Sequence, residues 1–255
     1  MPVHEVADAG FDREAASYER ARPSYPPDCV AWFADQLGIG PGRTVLDLAA
    51  GTGKFTRLLE PFGAHLIAAE PVDGMRALLA QTSPSVPMLS CAAEFLPFRA
   101  EHLDAITVAQ AFHWFDAPAA LAEAARVLRP GGRLGLLWNA RDRSLPDVDA
   151  LWSIMDRVEK RAPWRDHEEW REAAFTETPY FGPLHEATFH HAQVMTVDEV
   201  VDRFRSVSHV AVLGDGEKTR VLDEVRAQAE SQRDHTDDGR ISIPYRVDAY
   251  WCEKT

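Results

Sequence analysis

Cysteine is scarce in this chain. The 255 residues hold three, Cys29, Cys91 and Cys252, an odd number with no C-x-x-C pair. That argues against a disulfide framework or a cysteine-built zinc site and fits thiols in a reducing cytoplasm. Cations are short too, with 27 Lys and Arg against 40 Asp and Glu and a net charge of −13. Such a balance opposes a broad, salt-sensitive grip on a nucleic-acid backbone. No apolar run approaches the ~20 residues that span a bilayer. The opening stretch, MPVHEVADAGFDREAASYER, lacks the apolar core of a signal peptide. Internal repeats and low-complexity tracts are missing as well. Of the ten histidines, His190 and His191 are adjacent, so a strand would point them to opposite faces. No metal site is expected.

What remains is an ordinary globular composition, 45% hydrophobic and 26% charged, with length for a substantial core. The chain is organised around Thr44–Leu58, TVLDLAAGTGKFTRL. An apolar run (Val45, Leu46, Leu48) leads through two alanines to Gly51-Thr52-Gly53 and then to an amphipathic stretch. This reads as strand, tight glycine turn and helix, the start of a nucleotide-binding α/β unit. Glycine there permits backbone angles that a Cβ forbids and lets a ligand approach the main chain.

Asp47 separates the candidate ligands. A dinucleotide would place its pyrophosphate at this turn, where a fixed carboxylate repels it. The third glycine of G-x-G-x-x-G is replaced by Thr56, and Lys54 is followed by Phe55, so the P-loop pattern fails too. S-adenosylmethionine carries no phosphate but has an ammonium and a sulfonium, which an acid at the turn favours. The same residues could also form an ordinary strand-to-helix turn.

The rest of the chain alternates strand and helix up to residue 139. Asp28 is placed to cap a helix through Leu37, with Val30, Phe33, Ala34 and Leu37 on one face. Ala64–Glu70 reads as a second strand that ends in an acid, 17 residues past Gly53. A carboxylate there can accept hydrogen bonds from both ribose hydroxyls. A helix over Met75, Leu78 and Leu79 follows, then a short strand and loop within 86–98. Leu103–Ala109 is a buried fourth strand leading into Gln110-Ala111-Phe112-His113-Trp114-Phe115-Asp116. Leu121, Ala125 and Leu128 mark the next helix, stopped by Arg129-Pro130-Gly131-Gly132 before a fifth strand that ends at Asn139. This alternation specifies a parallel sheet with helices on both faces.

Residues 140–180 break the rhythm and read as a helical insertion carrying Trp152, Trp164 and Trp170. Beyond it come a β-like stretch over 184–195 and two helices, near 197–207 and 218–232. The last strand has Ile241, Ile243, Tyr245 and Val247 alternating inward. Pro244 removes a ladder donor from that strand and implies an edge or a bulge.

VLDLAAGTG, the strand-end Glu70, AAEFLPF, LDAITVAQAFHWFD and RVLRPGGRL occur in this order. Together they resemble the class I S-adenosylmethionine-dependent methyltransferases, in the small-molecule branch called type 11. YERARPSYPP and QAFHWFD are similar to the subgroup of trans-aconitate methyltransferase-like proteins. The resemblance covers about residues 11–139 and is thin after 140.

It implies one Rossmann-like α/β domain over 1–255 with a seven-stranded, mostly parallel sheet whose last strand is antiparallel and internal. The parts would be an N-terminal cover and helix (1–41), a cofactor core (42–139), the insertion (140–180) and the rest of the sheet (181–255). It also implies that Asp47, Ala49 and Gly51 line the methionine part of S-adenosylmethionine, with Gly53 also at the cofactor. Glu70 would hold the ribose, Pro71 and Met75 the adenine, with Ala93 and Glu94 in the adenine loop and Gln110 facing the cofactor. Ala49 departs from the usual glycine, and Ala92 stands where the family often has an adenine-binding aspartate.

Methyl transfer from a sulfonium is an in-line displacement that depends on alignment and removal of water. A hydroxyl or ammonium nucleophile would need a base, whereas a carboxylate or neutral amine would not. His113 has a suitable pKa and position to act as base or to orient the acceptor; the same residue could simply pack against Trp114. Tyr18, Arg22 and Tyr25 are candidates for a cover over the pocket, and Trp114, Trp138, Asn139 and Tyr245 for the acceptor side. The expected partner is a small methyl acceptor holding an oxygen or nitrogen nucleophile. A cofactor-binding module without catalysis and a nicotinamide dehydrogenase are the competing readings.

Overall fold

The computed structural model describes residues 22–159, 175, 178–207, 210, 213–233 and 238–255. Tyr18, Trp164 and Trp170 lie outside them. Seven strands form one sheet: β1 (Thr44–Leu48), β2 (His65–Ala69), β3 (Met88–Leu89), β4 (Leu103–Ala109), β5 (Leu128–Arg141), β6 (His185–Met195) and β7 (Ile241–Glu253). Their order is β3-β2-β1-β4-β5-β7-β6. The first five are parallel to one another, and β7 runs antiparallel between β5 and β6. The connection from β1 leads to one side of it and β4 lies on the other, so a crevice opens at their carboxyl ends.

The period of two along β1 sorts its side chains. Leu46 and Leu48 join the cluster under α4 (Ala117–Val127). Val45 points the other way, into the cluster beneath α1 (Pro27–Leu37), α2 (Lys54–Leu59) and α3 (Asp73–Thr82). Asp47 shares Val45's parity and so meets α2. A third cluster joins α5 (Pro146–Glu159), α6 (Val197–Arg205) and α7 (Asp215–Arg233) to the Met195 end of β6 and the Ile241 end of β7. The insertion after β5 thus gains a core by packing on helices that follow β6. No helix among the described residues is long and apolar enough to cross a membrane.

Three local expectations are corrected. Asp28 is not the cap of α1: Pro26 occupies that position and Asp28 Oδ1 accepts from Cys29 N at 2.9 Å. Leu128 does not end α4; it already pairs with Leu103 in the sheet, and a register shift before Ala105 absorbs the following Pro-Gly-Gly. Pro244 causes no bulge, since β7 keeps unbroken register with both neighbours. It lies one residue past the last β5 pair, Arg141↔Tyr245, so on that flank it has no ladder to interrupt.

Candidate functional site

The crevice is built around a buried carboxylate. Register places Asp47 beside Thr107 of β4, and α2 turns Thr56 back over the strand end. Thr56 Oγ1 donates to Asp47 Oδ2 at 2.6 Å and Thr107 Oγ1 donates to Oδ1 at 2.9 Å. Asp47 is 1% exposed. Burial pushes its carboxyl up to about 6, against the opposing pull of the two hydroxyls. These neutral donors satisfy the oxygens without themselves carrying a charge that would cancel the carboxylate's.

The turn that follows forces the main chain through left-handed conformations at Ala49 (φ 55), Gly51 (φ 58) and Gly53 (φ 81). For alanine this conformation costs about 1–2 kcal/mol. Ala49→Gly is therefore expected to raise stability by about 0.5–1 kcal/mol once the extra freedom of the unfolded glycine is offset. The midpoint of urea unfolding reads this directly. Gln110, at the end of β4, is left-handed as well (φ 61). Two strained non-glycine residues thus flank the same crevice.

At Gly51 a Cβ would meet nothing within 4 Å. Its N–H donates to Glu70 Oε2 at 2.8 Å, and Val72 N donates to Oε1 at 2.8 Å. Burial raises the Glu70 carboxyl while these N–H groups and Arg76 draw it down and the Asp47 charge adds to the rise. A carboxylate offers about four acceptor sites. Two therefore remain after the main-chain bonds.

A strap closes the top. Lys54 Nζ donates to Arg22 O at 2.9 Å, and Asn139 Nδ2 donates to Ser24 O at 3.2 Å. Asn139 Oδ1 in turn meets His191 Nε2 at 2.7 Å. Tyr25 is buried with its ring edge-on to Phe55, centroids 5.2 Å apart. Beneath the strap lies a cleft of about 80 Å³. It is lined by Asp47, Ala49, Gly51 and Gln110 from the ends of β1 and β4, by Arg22 and Tyr25 of the strap, and by Asn139 and Arg203 on a wall drawn from later in the chain.

Other sequence candidates lie elsewhere. Gly53 sits behind the turn, against Leu79 and Thr82. Glu70, Pro71, Met75, Ala93 and Glu94 do not line this cleft. Glu94 Oε1 accepts from Asp116 N at 2.9 Å, at the start of α4, and so braces a loop. His113 and Trp114 form a short 3-10 turn, their rings tilted with centroids 4.9 Å apart, and neither lines the cleft. Trp138 is buried edge-on to Tyr250, with centroids 6.1 Å apart. Tyr245 is buried under His191, which stacks on it at 5.5 Å. Neither lines this cleft: both side chains lie within the hydrophobic clusters.

Sequence reasoning missed Thr107 and Arg203 and passed over Thr56 as a missing glycine. Thr107 is a polar residue buried within the apolar run Ala105–Ala109 of β4, a signal that was available. Arg203 stands at the edge of the apolar face of α6, three residues after Val200 and four before Val207.

A doubly wound sheet with an acid at its first turn and no phosphate cradle defines a nucleoside-cofactor enzyme of the class I transferase kind. Comparison with known proteins agrees. The methyltransferase domain family matches residues 46–136. A methyltransferase-like protein of Schizosaccharomyces pombe is 34% identical over 248 residues, covering 96% of this chain and 95% of its own. The YcgJ protein of Bacillus subtilis superposes with a TM-score of 0.58 at 20% identity, over 89% of this chain and 98% of that one. Geranyl diphosphate C-methyltransferase of Streptomyces coelicolor, solved with S-adenosyl-L-homocysteine, gives 0.50 at 14% identity, over 89% and 76%.

The chain belongs to the methyltransferase family, and its methyl donor is S-adenosylmethionine. The residues present suit that donor: a bare main chain at Gly51, a carboxylate at Asp47 held by threonine hydroxyls and spare acceptor sites on Glu70.

Proposed function

We propose that this enzyme methylates an oxygen or nitrogen of a small metabolite, in the cytoplasm, and that its cleft holds the reacting groups. The Asp47 carboxylate, buried with only hydroxyl partners, carries the reading, because it favours a cationic ligand free of phosphate. S-adenosylmethionine supplies an electrophilic methyl group on a sulfonium. Asp47 attracts the positive end of the ligand, and the Gly51 main chain lets it lie close. Glu70 accepts the ribose hydroxyls, Pro71 and Met75 flank the adenine, and Ala93 lies in the adenine loop. The strap, with Arg22 and Tyr25, excludes water. The similarity of YERARPSYPP and QAFHWFD supports placement beside the trans-aconitate methyltransferase-like proteins.

Among the described residues no histidine lines the cleft, which favours an acceptor atom that arrives without a proton to lose, such as a carboxylate oxygen or a neutral amine. His113 then packs and orients rather than acting as base.

Calorimetric titration tests the cofactor reading, with S-adenosylhomocysteine expected to bind and NAD not. Equal binding of NAD would overturn it. Methyl transfer from labelled donor to a panel of small acids and amines tests the acceptor class. His113→Ala is expected to keep turnover within a few-fold, and loss of turnover with intact cofactor binding would restore the base.

A further inference from the structure

Arg203 enters the cleft from α6, yet it is only 3% exposed. Among the described residues its Nε and Nη1 have no hydrogen-bond partner. No carboxylate of the described residues forms an ion pair with it. Its guanidinium carbon lies 5.3 Å from the centroid of the buried Trp152 ring, whose other close cation, Arg141, lies at 3.5 Å. A permanent cation held out of water with its donors unmet is costly. A site that keeps such a group is incomplete without an anion.

We infer that Arg203 anchors a carboxylate of the methyl acceptor, and so determines which small molecules the enzyme accepts. This rests on the methyltransferase reading above and goes further by naming the group that is recognised and the residue that recognises it. Two carboxylates could answer the guanidinium, the acceptor's own or the one on the methionine part of the cofactor.

Position favours the acceptor. Asp47 and Gly51 lie at the end of β1, on the inner side of the sheet order. Arg203 comes from the helix after β6, the far edge strand, and shares its wall with Asn139 of β5. Trp152 of the insertion backs it. The acceptor side is thus built by the last residues of β5 together with segments that follow it in the chain.

The test is thermal protection of the full-length protein by succinate, fumarate and benzoate, with and without S-adenosylhomocysteine, against succinamide and inorganic phosphate as controls. Wild-type protein should be protected by one or more carboxylates and by neither control. Arg203→Met should lose that protection, with apparent affinity falling about 10- to 100-fold, while S-adenosylhomocysteine binds as in wild type. Arg203→Lys, which keeps the charge, should retain part of it and guards against a folding defect in the methionine variant.

The inference is overturned if none of the carboxylates protects wild type, or if Arg203→Met keeps the protection. It is equally overturned if that variant loses S-adenosylhomocysteine instead, which would assign Arg203 to the cofactor. Failure of wild type to bind S-adenosylhomocysteine would strike the methyltransferase reading alone, because the carboxylate arm is also read without it.

Discussion

Asp47→Asn is expected to make the ligand-free enzyme more stable and its cofactor binding weaker. The carboxyl rises from 3.8 to about 6 on folding because burial penalises its charge. Folding therefore takes up a proton between these values. The stabilising contribution is complete below about pH 4 and is lost as pH rises through about 6. At pH 7 the charged group costs the fold up to about 3 kcal/mol, from a shift of about 2 units at 1.36 kcal/mol each. Asparagine removes that cost, and a threonine hydroxyl can turn to accept from the new amide.

Binding moves in the opposite sense. A cationic ligand stabilises the charged form, so affinity for S-adenosylmethionine should climb with pH up to about 6 and level off above it. Asp47→Asn should flatten this profile and weaken binding about 10- to 100-fold at pH 7. Titrations from pH 5 to 8, with urea unfolding of both proteins, test both halves. A wild-type affinity that does not change across that range would refute the electrostatic role.

Gly53→Ala should be the most damaging single methyl group at the turn. At φ 81 the residue occupies left-handed space, which costs alanine about 1–2 kcal/mol. The added Cβ would also fall well inside van der Waals contact with Leu79 Cδ1, and Leu79 is wholly buried. Overpacking of this kind costs a further 1–3 kcal/mol or so. The neighbourhood has little freedom to yield, because Arg57 Nη1 and Thr82 Oγ1 both donate to Thr52 O, at 3.1 and 3.0 Å.

A total loss of about 2–5 kcal/mol is expected in urea unfolding, with weakened S-adenosylhomocysteine binding as the turn shifts. Gly51→Ala is the control. It is also left-handed but opens onto free space, so it should lose only about 1–2 kcal/mol. Equal losses at the two positions would contradict the packing argument.

The parts legible in the sequence were those whose cause is local. The β1 turn declares itself through glycines at left-handed positions, and β4 is found at Leu103–Ala109 because seven residues without a breaker sit between turn signals. Leu128 shows where local periodicity fails. It continues the apolar spacing of α4, but pairing with Leu103 draws it into the sheet, and that partner lies 25 residues away. Pro244 was ambiguous because its consequence depends on where β5 stops. Tyr245 alternated correctly with its neighbours, yet alternation separates inside from outside and cannot distinguish a cleft wall from a core.

The candidate site divides in the same way. Asp47, Ala49, Gly51 and Gln110 come from two adjacent strand ends and were visible together. Of the distant wall, Asn139 was visible at the end of β5 and Arg203 was not, because it reaches the cleft only through the packing of α6 against α5 and α7.

The place of β7 bears on how the molecule assembles. β6 touches the sheet only through β7, which begins 46 residues after β6 ends. During synthesis, β5 and β6 must wait with their edges bare until that later strand slots between them. Pairing so remote in sequence is slow to form and leaves sticky edges in the meantime. Nascent chains halted before Ile241 should therefore be the species that clump or recruit chaperones, even though every residue of the Asp47 turn has already been made.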